Sequence, residues 1–553
     1  MRNNRRMRIT ASQCLFLILA VSSQQVTPID AWVLKPLTVA RAFQQSRPTR
    51  PTPSAPSAVL FSTAASTAES TQNDIPQAQS QSQSQSDSAG ILRELYPPST
   101  ARKNGTLRVD DSHTLYYEVH GGTNESNNTQ HLSIRKKSAL FLHGGPGAGC
   151  NANHARFFNP DLYDTIVLFD QRGCGKSTPR GQVYNNTLMD LVHDCERLRK
   201  HLQVDKWDVV LGGSWGSTLA IAYAQEFPAQ VKAIVLRGVC LLRRAEVDWL
   251  FTPQGGAAQR CPQAWNQFAN AIGVTTSESD DDANVNNDGK VQIDRTVLHA
   301  YYDKFMGKKA TERWKAARGW MTWEFTVSSS YKQMLSEASD HGNSQDSANQ
   351  TDPFNATPPS SPAVLVSPPY STEWTYQDAQ GATLETSSAT AATLDPNPTR
   401  YATEQLRKGL LHPVASTTAN LPLRPIALKS SDFSDPLIAE ENVGNFSGFP
   451  AMPMLTCFYS VNDGYAMNHI KLMEPERMER IHDIPCIAIQ GGLDPICPPD
   501  TALDVNAQWS RMELRIPLHA GHSMYHPELT HELVKATDRL GKAIDDDGES
   551  LKL

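Results

Sequence analysis

Asp208-Val209-Val210-Leu211-Gly212-Gly213-Ser214-Trp215-Gly216-Ser217-Thr218-Leu219-Ala220 is the stretch whose reading decides the fold. A short apolar run leads into Gly-x-Ser-x-Gly, and a helix-like stretch follows from Thr218 to Phe227. Small neighbours let the backbone turn sharply there and lift a serine hydroxyl over the edge of a sheet, which makes Ser214 the candidate nucleophile. Ordinary glycine-rich turns with a capping serine share the pattern, so it gains meaning only with partners elsewhere in the chain.

Outward from that turn, the chain reads as strands alternating with helices. Ala139–Leu142, Thr165–Phe169, Val209–Leu211, Ala233–Leu236 and Cys486–Ile489 are continuous apolar runs, as expected of strands buried on both faces. Leu188, Leu191, Val192, Cys195, Leu198 and Leu202 recur at helical spacing and predict a helix covering the sheet. The expected fold class is α/β, a doubly wound, mostly parallel sheet whose ligands gather at the carboxyl ends of the strands. Its first part spans 91–245 and its second 471–545, with a tail at 546–553. Between them, over 246–470, the rhythm stops. Trp-bearing helical segments such as Ala310–Phe325 predict a helical cap, and a Ser/Thr/Pro/Asp/Ala-rich tract over about 338–420 reads as a disordered insertion within it.

The first 90 residues read as a leader and linker. Arg2, Arg5, Arg6 and Arg8 precede the apolar run Cys14–Val21, the shape of a signal peptide and too short to span a bilayer comfortably. From Ala31 to Ala68 there is no Asp or Glu, while Lys35, Arg41, Arg47 and Arg50 sit among small and hydroxyl residues, as in a transit peptide. The pair resembles the bipartite leaders of algae with complex plastids, with Ala40-Arg41-Ala42-Phe43 at the cleavage region. The alternatives are a plastid or the secretory route. A Ser-Gln repeat over 80–86 extends this low-complexity region.

A net charge of −7 offers no basic field for nucleic acid, and no stable membrane insertion is expected. The nine cysteines lack paired spacing, so neither a disulfide scaffold nor a zinc site is indicated. Asn104, Asn124, Asn185 and Asn445 head glycosylation sequons, used only if they meet the secretory lumen. Asn284-Val285-Asn286-Asn287-Asp288-Gly289 looks like half a calcium loop, but Arg295 stands where the bidentate Glu belongs, so it reads as a solvated acidic loop.

A serine hydroxyl needs a base, and the base an orienting carboxylate. Asp494 follows the run Ile487–Gln490 in a glycine turn, and His522 follows Leu514–Pro517 in the loop Ala520-Gly521-His522-Ser523. Ser214, Asp494 and His522 thus occur in the order expected of this architecture, each just after a predicted strand. Oxyanion donors are expected from the backbone of Trp215 and from His143-Gly144-Gly145-Pro146-Gly147. A phosphate-cradling reading of that loop fails because Gly-Lys-Ser/Thr does not close it.

His143–Gly147, Asp170-Gln171-Arg172-Gly173-Cys174-Gly175-Lys176-Ser177, Gly212–Ala220 and Leu236-Arg237-Gly238 followed by Leu241-Leu242-Arg243-Arg244 closely resemble the proline iminopeptidases of the α/β-hydrolase fold. The resemblance covers about 91–335 and 445–545. It implies a serine exopeptidase without cofactor or metal that removes an N-terminal proline from peptides, with Ser214, Asp494 and His522 as triad and Gly145 and Trp215 as oxyanion donors. It also implies that Glu324, in Trp320-Met321-Thr322-Trp323-Glu324, reads the substrate's amino group. Two positions depart from the pattern. Thr456 stands where the family has a second amine-binding Glu, and Cys240 where it has an aromatic of the proline pocket. Cys497 matches a pocket-lining cysteine. A broader aminopeptidase or ester and amide hydrolase therefore stands as the alternative, with a non-catalytic binding module further off.

Overall fold

The computed structural model describes residues 92–122, 137–275, 294–333, 363–371, 373–384, 451–462 and 470–544. The leader, the calcium-like loop, the sequons at Asn124 and Asn445 and the tail at 546–553 lie outside the described residues. Among the described residues, no helix is long and apolar enough to cross a membrane.

The strands are β1 Lys103–Arg108, β2 Thr114–His120, β3 Lys137–Leu142, β4 Tyr163–Asp170, β5 Val209–Gly213, β6 Ile234–Arg237, β7 Ala363–Ser367, β8 Thr375–Asp378, β9 Cys486–Ile489 and β10 Met512–Pro517. They form a ten-stranded sheet in the order β1-β2-β4-β3-β5-β6-β9-β10-β7-β8. From β4 to β10 neighbours run parallel, and antiparallel pairs close both edges.

The central strands are apolar throughout because both their faces are covered. Leu140, Leu142, Val210, Ile234 and Leu236 pack with Leu191, Leu198, Leu219 and Tyr223 of α1 (Leu188–His201) and α2 (Trp215–Glu226). Ala139, Phe141, Val209, Leu211, Val235 and Ile487 turn to the other face, against Leu529, Leu533 and Leu540 of the C-terminal helix Pro527–Ala543. Side chains alternate between the faces, so each face draws on every second residue of a strand. α1 begins on a reciprocal capping pair between Thr187 and Asp190.

After β6 come α3 (Arg244–Phe251), α4 (Gly256–Arg260), α5 (Pro262–Ala271), α6 (Thr296–Met306) and α7 (Ala310–Ser329), and later α8 (Ala451–Val461). Their shared core is aromatic. Phe268 stacks on Tyr301 at 4.2 Å between ring centres and on Trp323 at 5.4 Å, and Trp320 packs on Phe251 at 4.6 Å. Among the described residues the remaining helices are α9 (Pro475–Glu479), α10 (Pro499–Asn506) and α11 (Pro527–Ala543).

The expected insertion over 338–420 is corrected by β7 and β8, which lie inside it and belong to the sheet. Ala363-Val364-Leu365-Val366 is buried throughout, with Leu365 opposite Ile516 of β10. Four apolar residues in a polar tract are enough for a strand when a sheet edge already waits for them. Polar contacts then pin the hairpin: the Arg515 guanidinium binds Glu532, Glu513 at 3.0 Å and Gln377 at 3.1 Å, while Ala379 O accepts from Lys535 Nζ at 3.1 Å.

Removing 338–420 therefore strips two strands from the sheet, and the expected outcome is insoluble or strongly destabilised protein. Leu365→Ala, at a residue 1% exposed, should cost about 2–5 kcal/mol in urea unfolding. Unchanged stability in both variants would show that the hairpin does not support the fold.

Candidate active site

The turn between β5 and α2 holds Ser214 at φ 54° and ψ −127°. A non-glycine residue keeps such a conformation only where its surroundings dictate it. Two glycines show how tight they are: a Cβ on Gly212 would lie 2.1 Å from Gly216 O, and one on Gly216 would lie 2.0 Å from Leu142 O. The turn is tied to β6 by Ser214 N donating to Arg237 O at 2.8 Å.

Asp494 and His522 emerge from the ends of β9 and β10 and meet. His522 Nδ1 lies 2.8 Å from Asp494 Oδ2, and Asp494 Oδ1 accepts the N–H groups of Ile496 and Cys497, each at 2.9 Å. Asp494 is fully buried. With Nδ1–H given to the carboxylate, Nε2 carries the lone pair that a base requires. That nitrogen lies 3.2 Å from Arg237 Nη1, which also donates to His522 O at 3.0 Å. Ser214 Oγ is not hydrogen-bonded to His522 here and has Cys497 Sγ 4.0 Å away. Apo catalytic contacts are often looser than those in the reacting complex.

Arg237 is a residue the sequence reading left without a role. It is buried, its Nε has no hydrogen-bond partner, and desolvation lowers its pKa. The available signal was a charge closing the apolar run Ile234-Val235-Leu236, at the strand end where ligands gather. Gly238 makes the neighbourhood possible, since a Cβ there would stand 3.3 Å from the His522 ring.

The loop after β3 lies directly against the turn. A Cβ on Gly144 would meet Gly213 O at 3.0 Å and Ser214 Cβ at 3.1 Å, and Gly145 follows at φ 118°. On the other side Trp215 opens α2, where the first backbone N–H groups and the helix dipole favour negative charge. Gln171, at the end of β4, braces both parts. Its backbone N–H donates to His143 Nε2 at 3.1 Å, its amide donates to His143 O at 2.9 Å, and its carbonyl accepts from Trp215 Nε1 at 3.1 Å. This brace too was invisible in sequence, where Gln171 stood only within a motif. Burial lowers the pKa of His143, and its neutral ring serves the loop.

His143, Asp170 and Cys174 place ligand-type atoms within 4.8 Å of one another. Their lone pairs already hold backbone: Asp170 accepts from Cys150 N and Lys176 N, both at 2.7 Å, and His143 from Gln171 N. The group therefore builds the loop.

Of the expected pocket residues, Cys497 and Cys240 are brought to the turn. Cys497 faces Ser214, and Cys240 O accepts from Thr218 Oγ1 at 2.6 Å. Glu324 and Thr456 stand on the cap helices α7 and α8, and neither is hydrogen-bonded to Ser214. Glu324 Oε1 accepts from Trp320 Nε1 at 2.8 Å. The residue is part-exposed, and desolvation pushes its pKa up to about 7. A desolvated carboxylate is costly to keep charged alone and is therefore suited to a cationic partner. Thr456 is buried with no partner for its hydroxyl.

Gln171→Met keeps the volume and removes both side-chain bonds of the brace. A misplacement on the order of 1 Å can cost about 100-fold in rate, so turnover of a simple ester should fall by roughly 10- to 100-fold with KM little changed. Equal kcat in mutant and wild type would mean that the loop holds its place without Gln171.

The fold agrees with comparisons against known proteins. A family model described as the alpha/beta hydrolase fold matches residues 140–529. The chain is 30% identical over 448 residues to the proline iminopeptidase of Xanthomonas citri, spanning 81% of this chain and 99% of the relative. It is also 30% identical to the proline iminopeptidase of Arabidopsis thaliana, over 81% of this chain and 82% of that one. Over 240 residues it reaches 40% identity with the proline iminopeptidase of Xylella fastidiosa strain 9a5c, covering 43% and 66% of the two chains. The chain is thus an enzyme of the α/β-hydrolase fold and belongs to the proline iminopeptidase family.

Proposed function

We propose that this enzyme is a serine exopeptidase that releases an N-terminal proline from peptides through an acyl-enzyme on Ser214. The observation that carries the reading is the strained Ser214 turn facing an Asp494–His522 pair at 2.8 Å. In this scheme Nε2 passes from Arg237 to the Ser214 hydroxyl and takes its proton as Oγ attacks the scissile carbonyl. The oxyanion is held by the N–H groups of Gly145 and Trp215. His522 then protonates the departing amine, and water, deprotonated by the same nitrogen, releases the proline. Glu324 pairs the substrate's amino group. Thr456 and Cys240, neither a carboxylate nor an aromatic, favour a second reading in which the same chemistry accepts a broader set of N-terminal residues.

Ser214→Ala and His522→Ala should each lower kcat by a factor on the order of 10⁴ or more in folded protein, since triad members act as a unit. Near-normal turnover in either would sink the assignment. Losing one partner of a buried charge pair costs about 2–5 kcal/mol, so Glu324→Gln should cut kcat/KM for Pro-X substrates by roughly 30-fold to several thousand-fold and spare an amine-free ester. Equal losses on both substrates would make Glu324 a support of the cap.

The pH profile follows from the same group. With its pKa near 7, Glu324 is neutral below that pH and cannot pair an ammonium. The Pro-X profile should therefore carry an acid limb near pH 7 that Glu324→Gln removes. A limb that persists in the mutant would assign it to another group.

A further inference from the structure

Two separate elements press on the main chain just before His522. One is the turn that carries Asp494. A Cβ on Gly491 would stand 2.3 Å from Gly521 O and 2.5 Å from Ala520 O, and Leu493 N donates to Ala520 O at 3.0 Å. The other is Tyr331, the second residue after the cap helix α7. A Cβ on Gly521 would stand 2.6 Å from Tyr331 Cδ1 and 2.7 Å from Tyr331 Cγ, so the half-buried Tyr331 ring rests directly on the Gly521 main chain. Gly521 does not have a φ in the left-handed region, so the ring, and not the backbone conformation, requires glycine here. The same ring packs edge to face on His526, with 5.8 Å between ring centres. His526 N in turn donates to Ser523 O at 2.9 Å and closes the turn after His522. Tyr331 therefore touches the loop both before and after the imidazole.

The ring is itself held by the end of α7. Ser330 N donates to Val327 O and Gln333 N to Ser330 O, both at 3.1 Å, and Val327 is buried. Glu324 stands on that same helix.

We propose that Tyr331 is a positioning residue for His522: its ring clamps the loop, and through it the cap element that bears Glu324 sets where the imidazole stands. The assignment rests on the proposed role of His522 as base. Asp494 holds the imidazole at Nδ1, and Arg237 holds the His522 carbonyl. Neither constrains the glycine peptide that precedes His522, and glycine has more backbone freedom than any other residue. A ring packed on that peptide removes the freedom without touching the reacting atoms, and closely packed contacts of this kind do not yield without cost.

The test compares Tyr331→Ala, Tyr331→Phe, Gly521→Ala and the double variant Gly521→Ala/Tyr331→Ala in the full chain, each shown to be folded by urea unfolding. Ester kcat and KM, fluorophosphonate labelling of Ser214 and hydrogen exchange over 518–526 are measured for each. Tyr331→Ala and Gly521→Ala should each lower kcat and labelling by about 10-fold to 100-fold with KM little changed, and Tyr331→Ala should speed exchange in the loop. Tyr331→Phe should restore most of the rate, because the contacting atoms are ring carbons. The double variant should lose no more than Tyr331→Ala alone, since Cγ and Cδ1 leave with the ring and Gly521→Ala then meets neither. Wild-type kcat in Tyr331→Ala, unchanged loop exchange, a Tyr331→Phe variant as slow as Tyr331→Ala, or additive losses in the double variant would overturn the proposal. Full turnover in Ser214→Ala would remove the serine reading, while faster loop exchange in Tyr331→Ala would still sustain the clamp.

Discussion

One close approach holds the site together: Gly216 lies so near the Leu142 carbonyl that no side chain fits between them. Because of it, the end of β3 and the start of α2 are in contact. The loop that follows β3 therefore faces Ser214, and the first N–H groups of the helix face the same point. Ser214 pays for this geometry with a backbone conformation that an isolated chain would leave at once. The surrounding sheet keeps it there, since Gly212 is hydrogen-bonded between β3 and β6 in the middle of the parallel region.

The polar groups around the turn are organised from β4. Asp170, Gln171 and Arg172 are consecutive, buried and differently employed. Asp170 holds the backbone of Cys150 and Lys176, Gln171 braces His143 against Trp215, and Arg172 forms a bidentate pair with Asp194 of α1 at 2.6 and 2.7 Å. A buried charge or amide is costly unless it is partnered. Here the partners lie on α1, α2 and the loops after β3 and β4, so satisfying these groups also fixes where those segments lie.

The cap supplies the opposite kind of environment. Among the described residues the Glu324 carboxyl group accepts a hydrogen bond from Trp320 Nε1, whose ring packs against Tyr301 and Phe305. Beside Asp494, whose Oδ1 accepts two backbone N–H groups, this carboxyl is sparsely provided. Desolvation makes its charge expensive until a cation arrives. The buried Thr456 hydroxyl on α8 is likewise without a partner, so the two cap helices both present unmet polar capacity.

Much of this was legible in sequence for a local reason. Buried parallel strands must be apolar on both faces, as in the runs before Ser214 and Asp494, and His522 follows the mixed segment Leu514–Pro517, so the strands, the class of fold and the candidate triad could be read from short segments. The hairpin of β7 and β8 could not, because its four apolar residues become a strand only against the waiting edge of β10. Nor could the work of Arg237 and Gln171, whose partners are His522, 285 residues away, and Trp215, 44 residues away. The sequence by itself determined which residues are candidates for the chemistry, since residue type and position after a strand are local properties. Only the tertiary structure decided what each of them touches, because desolvation and hydrogen-bond partnership depend on groups that the fold brings in from far along the chain.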